Sequence, residues 1–281
     1  MIKTIPGLIL LLLVNTTIWA QSTIDSVQSK YIQIGIGGGK GSLRDFGTSP
    51  LTYSGAQSNL TLNYLSIGSR KKLQFGIEYT AGSYSAGAKN EISSAQRHTI
   101  DLHYSELHRL KALSSENWNT KVGGKAMITG NLRLNPSLQN AQLGLEAFMN
   151  LMAAFQVNYK FDQLEDKQRH IWFIRYTTKA RKRRLSYDLN VGLINHNLRN
   201  GYTYIDQSGV LNEPKIFGDY QFNQLNGMRV NASLAYTRYM ASNKNAIQIA
   251  YFWDMIYTRE DYHSFEMATH TLKCVLMFNL K

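Results

Sequence analysis

The chain has 281 residues, 43% hydrophobic, 18% charged and 11% aromatic, with 31 Lys and Arg against 19 Asp and Glu for a net charge of +12. Charge is scarcer than the roughly 25% usual in soluble domains, yet a mean hydropathy of -0.30 is far too low for a bundle of membrane helices. The single cysteine, Cys274, excludes an internal disulfide and any two-cysteine metal or redox motif.

The first element is a processing signal. Lys3 supplies a positive start, residues 8–14 an unbroken apolar run, and residues 16–20 a smaller, more polar exit ending at Ala20. That run is well short of the ~20 residues a spanning helix needs, so 1–20 reads as a cleaved secretory signal and the mature chain as starting near Gln21.

From there the dominant signal is period-two alternation, which places successive side chains on opposite faces of a strand. Leu73, Phe75, Ile77 and Tyr79 alternate with Gln74, Gly76, Glu78 and Thr80; Leu272, Cys274, Leu276, Phe278 and Leu280 do so near the C-terminus. Strands are expected near 31–37, 56–67, 72–81, 97–109, 118–132, 139–150, 153–161, 169–178, 184–198, 228–240, 246–257 and 267–281, about twelve in all. The stretch 138–155 would also suit a helix; two strands joined by a tight turn at 151–153 keep the number even. Short polar connectors at 68–71, 179–183 and 241–245 contrast with longer stretches at 38–55, 82–95 and 201–224 that read as loops. Tight turns on one rim and long loops on the other are the layout of transmembrane β-barrels.

The fold class expected is therefore all-β, a closed antiparallel transmembrane β-barrel with short periplasmic turns and long extracellular loops. The export signal, the alternating strands and a last strand with Phe278 near its close resemble the outer-membrane β-barrel proteins of Gram-negative bacteria, especially the medium-sized ones of the Bacteroidetes. Leu280 and Lys281 follow Phe278, where the usual assembly signal ends on an aromatic residue. The resemblance implies an outer-membrane location, lipid and lipopolysaccharide as surroundings, a short periplasmic segment at 21–29 and a barrel domain over 30–281. Tyr31, Tyr64, Tyr79, Trp118, Tyr159, Trp172, Tyr176, Tyr187, Tyr236, Tyr251, Trp253 and Tyr257 lie in expected strands and are candidates for interfacial girdles.

With apolar residues assigned to lipid, Glu78, Asp101, His103, Lys121, Lys125, Lys160, Arg175, Asp188, Arg229, Asp254 and Lys273 fall in the lumen. Such a mixed-sign lining either pairs across the interior or borders a narrow water path. The basic run Lys179, Arg181, Lys182, Arg183 and Arg184, with Arg70, Lys71 and Lys72, reads as a solvated rim facing lipid phosphates or an acidic partner rather than nucleic acid, since no reader motif accompanies it.

Three further patterns in the sequence carry weaker site signals. Asp101, His103 and Ser105 share one strand face, and a lumenal His-x-Ser resembles the outer-membrane phospholipase pattern. Glu106 and Leu107 stand where that family has Asn and Gly, and ~7 Å between same-face neighbours is long for a nucleophile and its base. The glycines at 35, 37, 38, 39 and 41 lack the Lys-Ser/Thr of a phosphate loop. His98, His103 and His108 have a five-residue spacing that alternates faces, against shared metal ligation, and no metal or cofactor is assigned. The leading reading is a narrow passive conduit or permeability element, not an enzyme. The alternatives are an accessory subunit of an envelope assembly or secretion complex, with envelope protein partners, and an outer-membrane lipid-modifying hydrolase acting through Asp101, His103 and Ser105.

Overall fold

A computed structural model describes residues 28–88, 91–163, 165–200, 220–240, 244–259 and 263–280. The expected export signal, most of the segment before residue 29 and most of the loop at 201–224 lie outside the described residues. The strands are β1 (Ser29–Asp45), β2 (Ser49–Ile67), β3 (Lys71–Ala88), β4 (Glu91–Arg109), β5 (Trp118–Leu134), β6 (Leu143–Lys160), β7 (Lys167–Ile171), β8 (Ile174–Thr178), β9 (Arg183–Asn200), β10 (Tyr220–Asn223), β11 (Met228–Tyr239), β12 (Ala246–Thr258) and β13 (Phe265–Leu280). Ten of them form a closed antiparallel ring in the order β1-β2-β3-β4-β5-β6-β9-β11-β12-β13, sealed by the pairing of β13 with β1. The short β10 lies along the end of β9, opposite 197–200, and β7 and β8 make a separate hairpin.

The barrel thus has ten strands, not about twelve, and two readings account for the difference. The expected hairpin at 151–153 is the uninterrupted middle of β6, which pairs with β5 from Trp118↔Tyr159 to Leu134↔Leu143. The segment 169–178 is not one barrel strand but most of the hairpin β7–β8, which stands at the rim where the chain begins its first strand. The stretches 38–55 and 82–95 are not loops either. They continue β1 and β2 to a tight turn at 46–48, and β3 and β4 to the pair Ala88↔Glu91.

The register fixes the geometry of the cylinder. From Lys30 the ladder passes through Ser66, Leu73, Glu106, Gly124, Ala153, Val191, Val230, Met255 and Ala268 and returns to β1 at Ser42, twelve residues further on. At ~3.3 Å per residue and ~4.8 Å per strand, that advance around ten strands sets a tilt of roughly 40°. Strands of 17 to 19 residues, as most of β1 to β9 are, then rise more than about 40 Å, well beyond the ~25 Å of an apolar belt.

The excess projects at one end. On β1 the outward residues Ile32, Ile34 and Ile36 give way to Lys40, Ser42 and Arg44; on β2 Tyr64, Leu62 and Leu60 give way to Ser58, Ser54 and Thr52. The exposed apolar side chains Ile34, Leu62, Phe75, Leu102, Ile128, Leu151, Tyr187, Leu234, Ile249 and Leu276 ring the barrel near the rim that holds Ser29 and Leu280, here the terminal rim. Trp118, Tyr159, Phe161 and Tyr236 stack in sequence at that rim, with ring centroids 4.7 to 5.9 Å apart, as expected of an interfacial girdle. Tyr31 is not part of it: its side chain is buried inside with Leu65, Tyr239, Ala246 and Met277. Trp172 and Tyr176 sit on the β7–β8 hairpin instead.

Candidate functional site in the barrel interior

The inward positions of the ten strands carry polar and charged side chains, arranged in levels. Nearest the terminal rim they line a cavity of about 360 Å³. Of the eleven expected lumen residues, Glu78, His103, Lys121, Lys125, Lys160, Asp188 and Lys273 line it, and Lys72 and Arg184 join them. Lys273 Nζ donates to Glu78 Oε1 at 2.5 Å, and Asn59 Nδ2 donates to the same oxygen at 2.7 Å. Asp188 is 3.4 Å from Lys72 Nζ and accepts from Gln156 Nε2 at 2.5 Å and Ser233 Oγ at 3.3 Å.

Asp101, Arg229 and Asp254 form the next level, deeper in the barrel. Arg229 is 0% exposed. Its Nε and Nη2 hold Asp254 in a fork at 3.1 and 2.7 Å, and Nη2 also reaches Asp101 Oδ1 at 3.4 Å. Its Nη1 donates to Thr129 Oγ1 at 2.6 Å and Asn150 Oδ1 at 3.1 Å, and Thr129 in turn donates to Asp101. A guanidinium has five N–H donors in a planar fork, and here all five are used.

Above Arg229 a void of only about 20 Å³ remains, room for a single water. Beyond it Arg97 donates to Gln57 Oε1 at 2.9 Å and lies 5.0 Å from the centre of the Tyr84 ring. Towards the distal rim Asp45 is clamped by Arg133 at 2.5 Å and Arg199 at 2.8 Å, while Arg133 also approaches Glu146 at 3.4 Å. Phe148 and Phe265, 5.3 Å apart, fill the space beside them. The described interior is therefore closed through its distal half, since an open water path would leave side chains at 0 to 2% exposure, such as Thr129, Arg97, Arg133 and Phe265, wetted.

Ten of the eleven expected lumen residues face the interior or its mouth. Arg175 does not: it is exposed on β8, outside the ring. Asp101, His103 and Ser105 all point inward from β4, but no hydrogen bond joins them among the described residues; Asp101 is held by Thr129 and Arg229, and His103 lies 3.4 Å from Gln74. Sequence reasoning missed Asp45, Lys72, Arg97, Arg133, Glu146 and Arg199. The signal for Arg97 was its parity with Asp101 along β4, and for Lys72 its parity with Glu78.

One irregularity positions Arg199. Met152 pairs with Gly192 and Leu151 with Ile194, so Leu193 is an extra residue in β9. Such a bulge shifts the facing of everything beyond it: Ser186, Asp188 and Asn190 turn inward before it, and Asn195, Asn197 and Arg199 after it. At the turn into β11, Gly227 has φ +89, and a Cβ there would fall 2.2 Å from the Tyr257 carbonyl oxygen.

No family model matches the chain, and no curated protein matches it in sequence. Among solved structures it is similar to the outer membrane protease OmpT from Escherichia coli, with a TM-score of 0.52 and 11% identity over 93% of this chain and 99% of that one. The translocator domain of autotransporter NalP from Neisseria meningitidis follows at 0.36 and 7%, over 95% and 94%. An outer-membrane channel from Pseudomonas putida F1 stands at 0.33 and 13%, over 92% and 98%. The first likeness shows the fold: an all-β closed barrel of the outer-membrane kind. At that identity it shows nothing of chemistry.

Proposed function

We propose that the chain is an integral outer-membrane β-barrel that serves as a narrow conduit, closed at rest by its own interior side chains, with its terminal rim toward the periplasm. The observation that carries this reading is the charge-lined cavity, which enters at the terminal rim, runs through the level of the apolar belt and stops short of Arg229. A wetted interior beneath a greasy exterior supports placement in a membrane, where a spanning sheet must leave no unpaired edge. The belt would meet outer-membrane lipid and lipopolysaccharide. Planar-bilayer conductance of the purified chain tests the reading. The native protein is expected to pass little current, and a variant cut back at every level of the closure, Arg229→Ala with Arg97→Ala, Arg133→Ala and Phe265→Ala, to pass more; a pore that is open in the native protein, or silence in both with the variant shown to be folded, overturns it.

A second reading, an accessory subunit of an envelope assembly, is favoured by the β7–β8 hairpin. Trp172 and Phe173 at its tip are 85% and 81% exposed, beside the basic run that begins at Lys179. Under this reading a partner recovered with the native chain in mild detergent is lost when the hairpin is shortened. The third, a lipid-modifying hydrolase, requires that Ser105→Ala abolish lipase activity.

A further inference from the structure

The cavity has a charge imbalance that the ion pairs do not cancel. Its lining carries six basic side chains against two acidic ones, and both carboxylates are already engaged, Glu78 by Lys273 and Asp188 by Lys72. Lys121 is 3% exposed, lines the cavity, and has no hydrogen-bond or ion-pair partner among the described residues. The charged groups acting on it most strongly are cations: Arg184, Lys72, Lys160 and Arg109. Burying an unpaired ammonium is costly, and a cluster of them invites a counter-charge. The rest of the lining is mixed, with amides and hydroxyls such as Gln74, Asn119 and Ser186 beside apolar side chains such as Met127, Phe252 and Met277, polar and apolar faces that together suit the hydroxyls and the C–H face of a hydroxylated body. The volume lies within the range of small-molecule sites.

We propose that this cavity is a binding site for a small hydroxylated solute bearing an oxyanion, with Lys121 as the cation that receives the negative group and Lys72, Lys160 and Arg184 as the cations around it. Lys121 lies near the mouth on β5 with Lys72, Lys160 and Arg184 lining the same space, and Lys125 faces the cavity four residues, about 13 Å, deeper on the same strand, so an oxyanion held at Lys121 would leave the rest of the solute to extend inward. The proposal goes beyond the conduit reading, because binding requires neither current nor passage.

Isothermal titration of the full chain in detergent micelles, at low salt, tests it with glucose 6-phosphate, gluconate and glucose as probes. Both anions are expected to bind saturably with one site per chain, and glucose at least tenfold more weakly. If the phosphate alone binds, the site reads phosphate; if both bind equally, it reads the negative charge. Lys121→Gln should weaken anion binding about tenfold or more, Lys121→Arg should restore most of it, and Arg175→Gln on the outer hairpin should change nothing. An unchanged far-UV circular dichroism spectrum would show that each variant is folded. Absence of saturable anion binding at millimolar concentration, or equal affinity for glucose and its phosphate, overturns the proposal. So does a folded Lys121→Gln that binds like the native chain. These readings are made without a membrane, so their failure would leave the conductance test of the conduit untouched.

Discussion

Arg229 has five N–H donors, and the strands around it supply five acceptors from Asp101, Thr129, Asn150 and Asp254. Because the site is buried, the energetic weight falls on breaking it rather than on making it. Removing the cation strands two carboxylates in a dry interior, a change that typically costs about 3–5 kcal/mol. Arg229→Leu should therefore lower the midpoint of denaturant unfolding in micelles. Adding Asp254→Asn to it should recover part of the loss, a non-additivity that a double-mutant cycle would measure. Parity along single strands put Asp101, Arg229 and Asp254 in the lumen on sequence grounds. Their meeting was not legible, since Arg229 and Asp101 stand 128 residues apart and one sequence carries no record of such pairings. Arg97, Arg133 and Arg199 escaped because the strands carrying them leave the lipid: once the outward face is polar too, inward polarity no longer stands out.

At the scale of elements, β6 was the hardest strand to read and β9 is the most informative. The outward face of β6 is apolar along its whole length, from Leu143 through Leu151 to Tyr159, and its inward face contains Phe148, Met152 and Ala154. With so little contrast between faces, period two fades and a helix or a broken strand reads equally well. The glycine-rich ends of β1 and β2 were misread for a related reason. Gly39 is a strand residue whose place is set by close approach, since a Cβ there would lie 1.8 Å from the His270 carbonyl oxygen, and glycine in such numbers otherwise signals a loop. In β9 the extra residue Leu193 is what turns Arg199 toward Asp45. Deleting Leu193 would swing Asn195, Asn197 and Arg199 to the outer face, as any one-residue slip does; the expected outcome is loss of assembled barrel in the membrane fraction. Replacing 165–179 with a short turn should leave assembly intact, because it keeps the two legs that join the hairpin to β6 and β9, paired at Gln163↔Arg181, and takes no rung from the ring's ladder.

The whole molecule is a cylinder of tilted strands taller than its own apolar belt, and its outer surface changes character along its height. An arginine near the middle of the belt is expected to cost roughly 2–4 kcal/mol, falling toward zero outside it. Leu62→Arg should accordingly destabilise folding into lipid vesicles by about that amount, while Ser54→Arg on the same face of β2 should be nearly neutral. Equal costs at the two positions would mean that the belt is misplaced. The barrel class was readable from alternation; the height of the cylinder was not, because the polar outer face of the distal strand ends leaves alternation without contrast there.

The cavity has one mouth. At rest the molecule is therefore a cup rather than a pipe, and whatever occupies it equilibrates solely with the compartment at the terminal rim. A solute offered from the opposite side would meet the closed half first, which makes sidedness a built-in property of the cavity's occupancy.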